Sequence, residues 1–257
     1  MVDTGYAEGS VDRWAGVLMS ALHLAEQNRR VPFVPKVHYF HPENTREGFL
    51  EPGFAPVMLD SLKPEVISDF FWMFYCLGIR PINLEHMYWS EPDPRPRHSY
   101  SFVDRERGLL WIPRASRSKN KKPNVIALVG KAEEIIERRW QKRTEGGVIS
   151  NRVFHVKGER IWQNSRFRAW DVARKALGRP DLIPYDLRRS FTRDADDADV
   201  HQRVTMKIQG HTKRQTSDGY NARNLDDVSR ALLAVEEYRK HRQGETPKVV
   251  AMRGERL

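Results

Sequence analysis

Four short stretches of this chain carry side chains suited to work on a phosphate. They are Leu77-Gly78-Ile79-Arg80-Pro81, with Trp89 nine residues beyond the arginine; Ser118-Lys119-Asn120-Lys121-Lys122-Pro123; Tyr185-Asp186-Leu187-Arg188-Arg189-Ser190-Phe191; and Gly210-His211-Thr212, with Tyr220 nine residues beyond the histidine. A guanidinium stays charged at any working pH, and its forked donors match two phosphate oxygens at once. A phenol, with a pKa of about 10, ionises far more easily than an aliphatic hydroxyl, so it can both attack and leave. An ammonium can protonate a departing alcohol. Each position also has a plainer reading. A single arginine is more often a surface charge. Lys119 lies in a basic run, where a backbone-phosphate contact or a solvated charge is the rival role, and Lys121 is the alternative donor. His211 follows a glycine, as residues that bond the last carbonyls of a helix do. Tyr220 follows Asp218-Gly219, an ordinary turn pair.

Composition favours a polyanion as partner. The 257 residues include 44 Lys and Arg against 34 Asp and Glu, a formal net charge of +10, clustered at residues 114–122, 138–143, 188–193 and 239–242. Cations that meet nucleic-acid phosphates release condensed counterions, which drives binding without regard to sequence. The longest apolar run, residues 70–79, is about half of what a membrane span needs and suits a buried helix, so no membrane partner is expected. Asp3, Glu8 and Asp12 break the basic-then-apolar order of a signal peptide. The single cysteine, Cys76, excludes an internal disulfide and reads as a small buried hydrophobe. A cytoplasmic, nucleoid-associated protein is the expectation.

The elements that must carry these residues follow from periodicity. Residues 11–25 predict an amphipathic helix, with Trp14, Val17, Leu18, Ala21, Leu22 and Ala25 along one stripe. Residues 32–56 read as a linker. A helix from Pro64 through the apolar run to a stop at Gly78, and a short one over 81–88, come next. Strands at 100–103, 109–112 and 124–128 predict a small three-stranded antiparallel sheet. Helices follow at 131–140, 165–177, 190–198, 200–208 and from Asn224 onward. Helical spacing also places Trp14, Trp72, Phe167 and Trp170 in the core. The fold class is α+β and mostly helical.

The four stretches, in this order and at these distances, resemble the motifs of the tyrosine recombinases of the phage-integrase type. The first is similar to their first arginine box (TGLRxxELLxLxW), the second to the β-hairpin lysine (TKNGKxRxVPL), the third to HDLRRTF and the fourth to LGHSSxxTTxxYTH. The resemblance covers residues 48 to 240 and implies the catalytic fold of that family. It implies that Arg80, Arg188 and His211 hold the scissile phosphate, that Tyr220 attacks it to leave a 3′-phosphotyrosine, and that Lys119 protonates the 5′ oxygen. The bond energy stays in the phosphotyrosine, so no cofactor, ATP or metal is implied. Double-stranded DNA is the implied partner, with four copies of the chain acting on two duplexes and no small-molecule substrate. Residues 225–238 are the implied segment for docking on a neighbour.

Three departures qualify the resemblance. Tyr185 stands where the family commonly has His or Lys to handle the nucleophile's proton, and Tyr is a poor proton acceptor at neutral pH. Asn83 stands where a glutamate usually braces the site, and Glu85 points elsewhere on a helix. Residues 1–47 hold one helix and a linker where relatives carry a whole helical domain, whether as a natural short form, a degraded gene or a fragment. Residues 241–257 read as a flexible basic tail. A second reading follows from these departures: an integrase-fold relic that binds DNA with little or no turnover.

Overall fold

The computed structural model describes residues 5–43, 48–113, 123–210 and 225–243 and forms two compact units, Met1–Glu47 and Gly48–Leu257. In the first unit, helix α1 (Glu8–Gln27) is longer than expected from its stripe, yet none of its residues is buried. Trp14 is 45% exposed and meets the Tyr6 ring in an edge-on contact, so its expected place in a core is not borne out. A lone amphipathic helix has no second face to bury against. The chain after α1 returns to it, because the Asp12 carboxylate accepts the backbone N–H groups of Phe40 and His41, each at 2.9 Å.

The second unit is built around α3 (Glu65–Leu77). Its sequence is mostly apolar, with Ser68 and Asp69 buried among the hydrophobic residues, and a helix of that kind is stable only when surrounded. Helix α2 (Ala55–Ser61), most of which lies between the expected linker and the expected helix from Pro64, covers one side, and α5 (Lys131–Gln141), α7 (Asp186–Asp197) and α9 (Leu225–Gln243) cover others. Phe70 and Phe71 pack against Phe154 and Trp170, with ring centroids 5.6 and 4.9 Å apart. Trp72 and Trp170 are core residues as expected, whereas Phe167, on α6 (Gln163–Ala176), faces outward.

The sheet differs from the expected three antiparallel strands. Strands β2 (Ser101–Asp104), β3 (Leu109–Ile112) and β4 (Asn124–Ala127) form the antiparallel meander, but β1 (Met87–Tyr88) adds a fourth strand, parallel to β2. A two-residue strand is too short to show a period of two. Helix α4 (Pro81–Glu85) stops before it because Ser101 takes over: its N–H bonds the His86 carbonyl at 2.9 Å and its hydroxyl the Asn83 carbonyl at 2.7 Å. A separate pair, β5 (His155–Val156) and β6 (Glu159–Arg160), and helix α8 (Gln202–Ile208) complete the described elements together with a 3-10 turn at Lys142–Gly147.

Gly78 sets the path of the chain into the site. It ends α3 in the left-handed region at φ 55°, its N–H bonding the Phe74 carbonyl at 2.9 Å. A Cβ there would lie 2.5 Å from Cδ1 of Phe191 on α7, so α3 and α7 can approach this closely only at a glycine. Gly78→Ala is expected to destabilise the fold by about 2–4 kcal/mol, combining left-handed strain with overpacking against an aromatic ring. Urea unfolding checks this, and a midpoint equal to the native one would contradict it.

Candidate active site

The chain leaves Gly78 through buried Ile79 and reaches Arg80, whose extended backbone (φ −67°, ψ 138°) caps α4. Pro81 at the first helical position fixes that exit, and the Arg80 carbonyl accepts the Asn83 N–H at 3.0 Å. The backbone is held while the guanidinium stays exposed. Arg188 comes from the other direction, on the first turn of α7, and is 4% exposed. Its Nη1 donates to the Gly78 carbonyl at 2.5 Å and its Nη2 to the Gln209 carbonyl at 3.0 Å. Two main-chain acceptors from opposite sides fix the plane of the guanidinium.

Gln209 closes this clamp. Its side-chain nitrogen donates to the Arg188 carbonyl at 3.3 Å and to Thr192 Oγ1 at 2.8 Å, tying the end of α8 to α7. Gly210 then turns the chain at φ 68°, and a Cβ built there would stand 3.8 Å from Arg80 Nη1. Arg80 and Arg188 therefore converge on the turn that leads to His211. Burial, above all, pushes the Arg188 guanidinium down to about 10; Tyr185 opposes that shift and the charge of Arg80 adds to it. The group remains a cation at neutral pH, and two cations held together favour an anion between them.

Tyr185, 46% exposed, precedes α7 and contacts the Phe74 ring edge-on, with centroids 6.5 Å apart. It lines, with Pro81, Phe74, Phe167 and Trp170, an open cleft of about 1070 Å³. Asn83 is buried, and its carbonyl is the acceptor for Ser101. Glu85, set aside in the sequence, binds Arg166 at 2.7 Å and Arg160 at 3.3 Å and thereby ties α4 to α6 and β6. Lys119, His211 and Tyr220 lie outside the described residues. Their segments leave from β3 and β4 for the first, and from Gly210 and α9 for the other two.

Helix α9 packs its apolar face on its own chain. Val228, Ala231, Leu232 and Val235 are buried, and α9 lies against α7, α8, β4 and α3. Arg239 Nε donates to Asp194 at 2.6 Å and its Nη1 to the Tyr75 carbonyl at 3.1 Å, while Glu236 accepts the Lys131 N–H at 2.9 Å. Sequence reasoning also missed Gln209 and Asn124. The available signal for Gln209 was a polar residue directly before Gly210-His211. Asn124 begins a strand and stands where the β-hairpin motif has an arginine.

A family model described as the phage integrase family matches residues 97–226, just over half of the chain. No curated protein sequence matches. Among solved structures, a lambda integrase fragment, crystallised as a dimer bound to a COC′ core site, is similar with a TM-score of 0.60 and 17% identity, covering 82% of this chain and 75% of that one. The Tn1549 transposon integrase in complex with circular intermediate DNA gives 0.63 and 14%, covering 91% and 81%. A lambda integrase tetramer bound to a Holliday junction gives 0.58 and 18%, covering 84% and 62%. At these identities the likeness is one of fold. Among the described residues no helix is long and apolar enough to cross a membrane.

His86, at the end of α4, supplies a pH probe of this region. Burial, then the neighbouring His98 ring 3.8 Å away, push its imidazole down to about 4; Glu85 opposes, and Arg152 and Arg160 reinforce the shift. A histidine depressed from 6.5 in the folded state is neutral there while the unfolded chain already binds the proton. Its contribution is therefore complete above about pH 6.5 and lost as pH falls toward 4, at most about 3 kcal/mol. Between pH 7.5 and 4.5 the urea midpoint of His86→Phe should fall less than that of the native chain. Parallel curves would refute the assignment.

Proposed function

This chain belongs to the phage integrase family, and on that premise we propose that it cleaves and rejoins duplex DNA through a covalent bond to Tyr220. The observation that carries the reading is the convergence of Arg80 and Arg188, 108 positions apart in sequence, on the Gly210 turn from which the chain runs on to His211 and Tyr220. The guanidiniums bind the non-bridging oxygens of one phosphate, and His211 adds a third donor. The Tyr220 oxygen attacks phosphorus, the bond to the 5′ oxygen breaks, and Lys119 supplies that oxygen with a proton. The product is a 3′-phosphotyrosine and a free 5′-hydroxyl. A 5′-hydroxyl of a second duplex reverses the step, displacing the phenoxide with no external energy source.

Residues 48–240 carry this chemistry in the proposal, with double-stranded DNA and further copies of the chain as partners. The dimer and tetramer of lambda integrase on DNA, whose fold this chain shares, support that choice of partners. Tyr185 sets the expected rate. As a poor proton acceptor it leaves the Tyr220 proton to another group or to water, so cleavage should be slow. The same residue favours the second reading, a DNA-binding relic without turnover.

A nicked suicide duplex, which loses the short strand on cleavage, decides between them. The native chain should give a DNA-linked band that survives boiling in detergent, and Tyr220→Phe should give none. Absence of the band in the native chain supports the relic. Arg80→Ala should lower the rate of band formation about a hundredfold or more with no change in the unfolding midpoint, since that side chain is exposed. Binding of intact duplex should weaken at least about tenfold between 50 and 200 mM salt in either reading.

A further inference from the structure

We infer that Gln209 is a positioning residue, which acts on the scissile phosphate through Arg188. The inference rests on the reading of Arg188 as a phosphate-binding group and deepens it. Gln209 stands where the fourth motif has leucine, a side chain with nothing to donate.

Residues 188 and 209 hold each other by exchange. The Arg188 guanidinium gives Nη2 to the Gln209 carbonyl at 3.0 Å, and the Gln209 amide gives Nε2 to the Arg188 carbonyl at 3.3 Å. Thr192, one turn along α7, joins both: its Oγ1 accepts Gln209 Nε2 at 2.8 Å and donates to the Arg188 carbonyl at 3.0 Å. Each residue thus meets the other's main chain with its side chain, and the loop closes on itself. Both residues are buried, so water has little access to compete for these bonds.

The carbonyl that receives Arg188 needs this hold. It belongs to the residue that caps the end of α8, a helix of only seven residues. A helix so short has little stability of its own, and its end is set by what it is bonded to. Gly78, the other acceptor, is placed by the close contact of α3 and α7. On the α8 side that part falls to the Gln209 amide, which ties the end of the helix to the one that carries Arg188. A guanidinium makes its forked contact with a phosphate only in the right plane, and a displacement of about 1 Å can cost about a hundredfold in rate. With an apolar side chain at position 209 the Arg188 cation keeps its charge but loses the frame that aims it.

Removing charge from the phosphate separates this role from a general structural one. The nicked suicide duplex is prepared with an ordinary scissile phosphate and with a methylphosphonate in its place, as both diastereomers, in which methyl replaces one non-bridging oxygen. The phosphodiester is an anion, whereas the methylphosphonate is neutral and leans less on an aligned cation. Attack by Tyr220 and departure of the 5′ oxygen are the same for both. Gln209→Met, of similar length but without the donor, should lower the rate of adduct formation about a hundredfold with the phosphate and by less than about threefold with the methylphosphonate. Equal losses on both substrates, or no loss on the phosphate, would overturn the inference, since a misplaced nucleophile or a loosened fold slows both reactions alike. If Gln209→Met does not fold, Thr192→Val, which removes the other end of the shorter bond, decides by the same ratio; failure of both to fold makes the exchange a part of the fold and also overturns it. A native chain that forms no adduct with either substrate would instead bring down the Tyr220 reading, and this inference with it.

Discussion

The Arg188 guanidinium lies in the interior between two main-chain carbonyls, Gly78 at the end of α3 and Gln209 at the end of α8. Three elements distant in sequence meet at that one planar cation. Helix α7 brings it, α3 and α8 end on it, and both ends are free to accept because the last carbonyls of a helix have no partner within it. Gly78 contributes twice, since its missing side chain admits Phe191 and its carbonyl receives the arginine. Without the close approach of α3 and α7 the clamp could not form, and Arg80, two residues beyond Gly78, would not face Gly210.

A charge held inside in this way is costly to the fold and useful to a site. Burial weakens the hold of Arg188 on its proton, and the nearby Arg80 charge works in the same direction, yet the group stays ionised far above neutral pH. The rigid hydrogen bonds mean that little reorganisation is needed when an anion arrives, and preorganised donors stabilise a transition state most when they do not have to move. Other buried cations in the molecule have a different task. Arg166 meets Glu85 and Arg239 meets Asp194, each within 2.7 Å, and these pairs join elements instead of facing a ligand. The Arg239 pair also holds α9 to α7 and α3, so the stretch between Gly210 and Leu225 starts and ends on the same body.

Several elements were legible because their signals are local. The apolar run of α3, its stop at Gly78, the three strands of the meander and the stripes of α5, α6 and α9 follow from period and punctuation. The misses share a physical cause. Strand β1 and the early end of α4 depend on Ser101 bonding across to Asn83 and His86. Helix α2 depends on the flank of α3, against which Ala55, Met58 and Leu59 are buried. Trp14 and Phe167 lie on stripes of the right spacing, yet spacing says which face is apolar, not whether another element covers it.

For the site the division runs between chemical type and arrangement. The order of four motifs was enough to point to the family and to nominate Arg80, Lys119, Arg188, His211 and Tyr220, because the chemistry demands those functional groups, and Tyr185 by its place in the third motif, where it departs from the usual His or Lys. Lys119, His211 and Tyr220 lie outside the described residues, and their roles rest on that resemblance. Only the tertiary structure brought Arg80 and Arg188 to one turn, and only it gave Gln209 and Asn124 a place beside them. A hydrogen bond across a hundred residues leaves no trace in local periodicity; it exists once the core has closed and made two distant backbones neighbours.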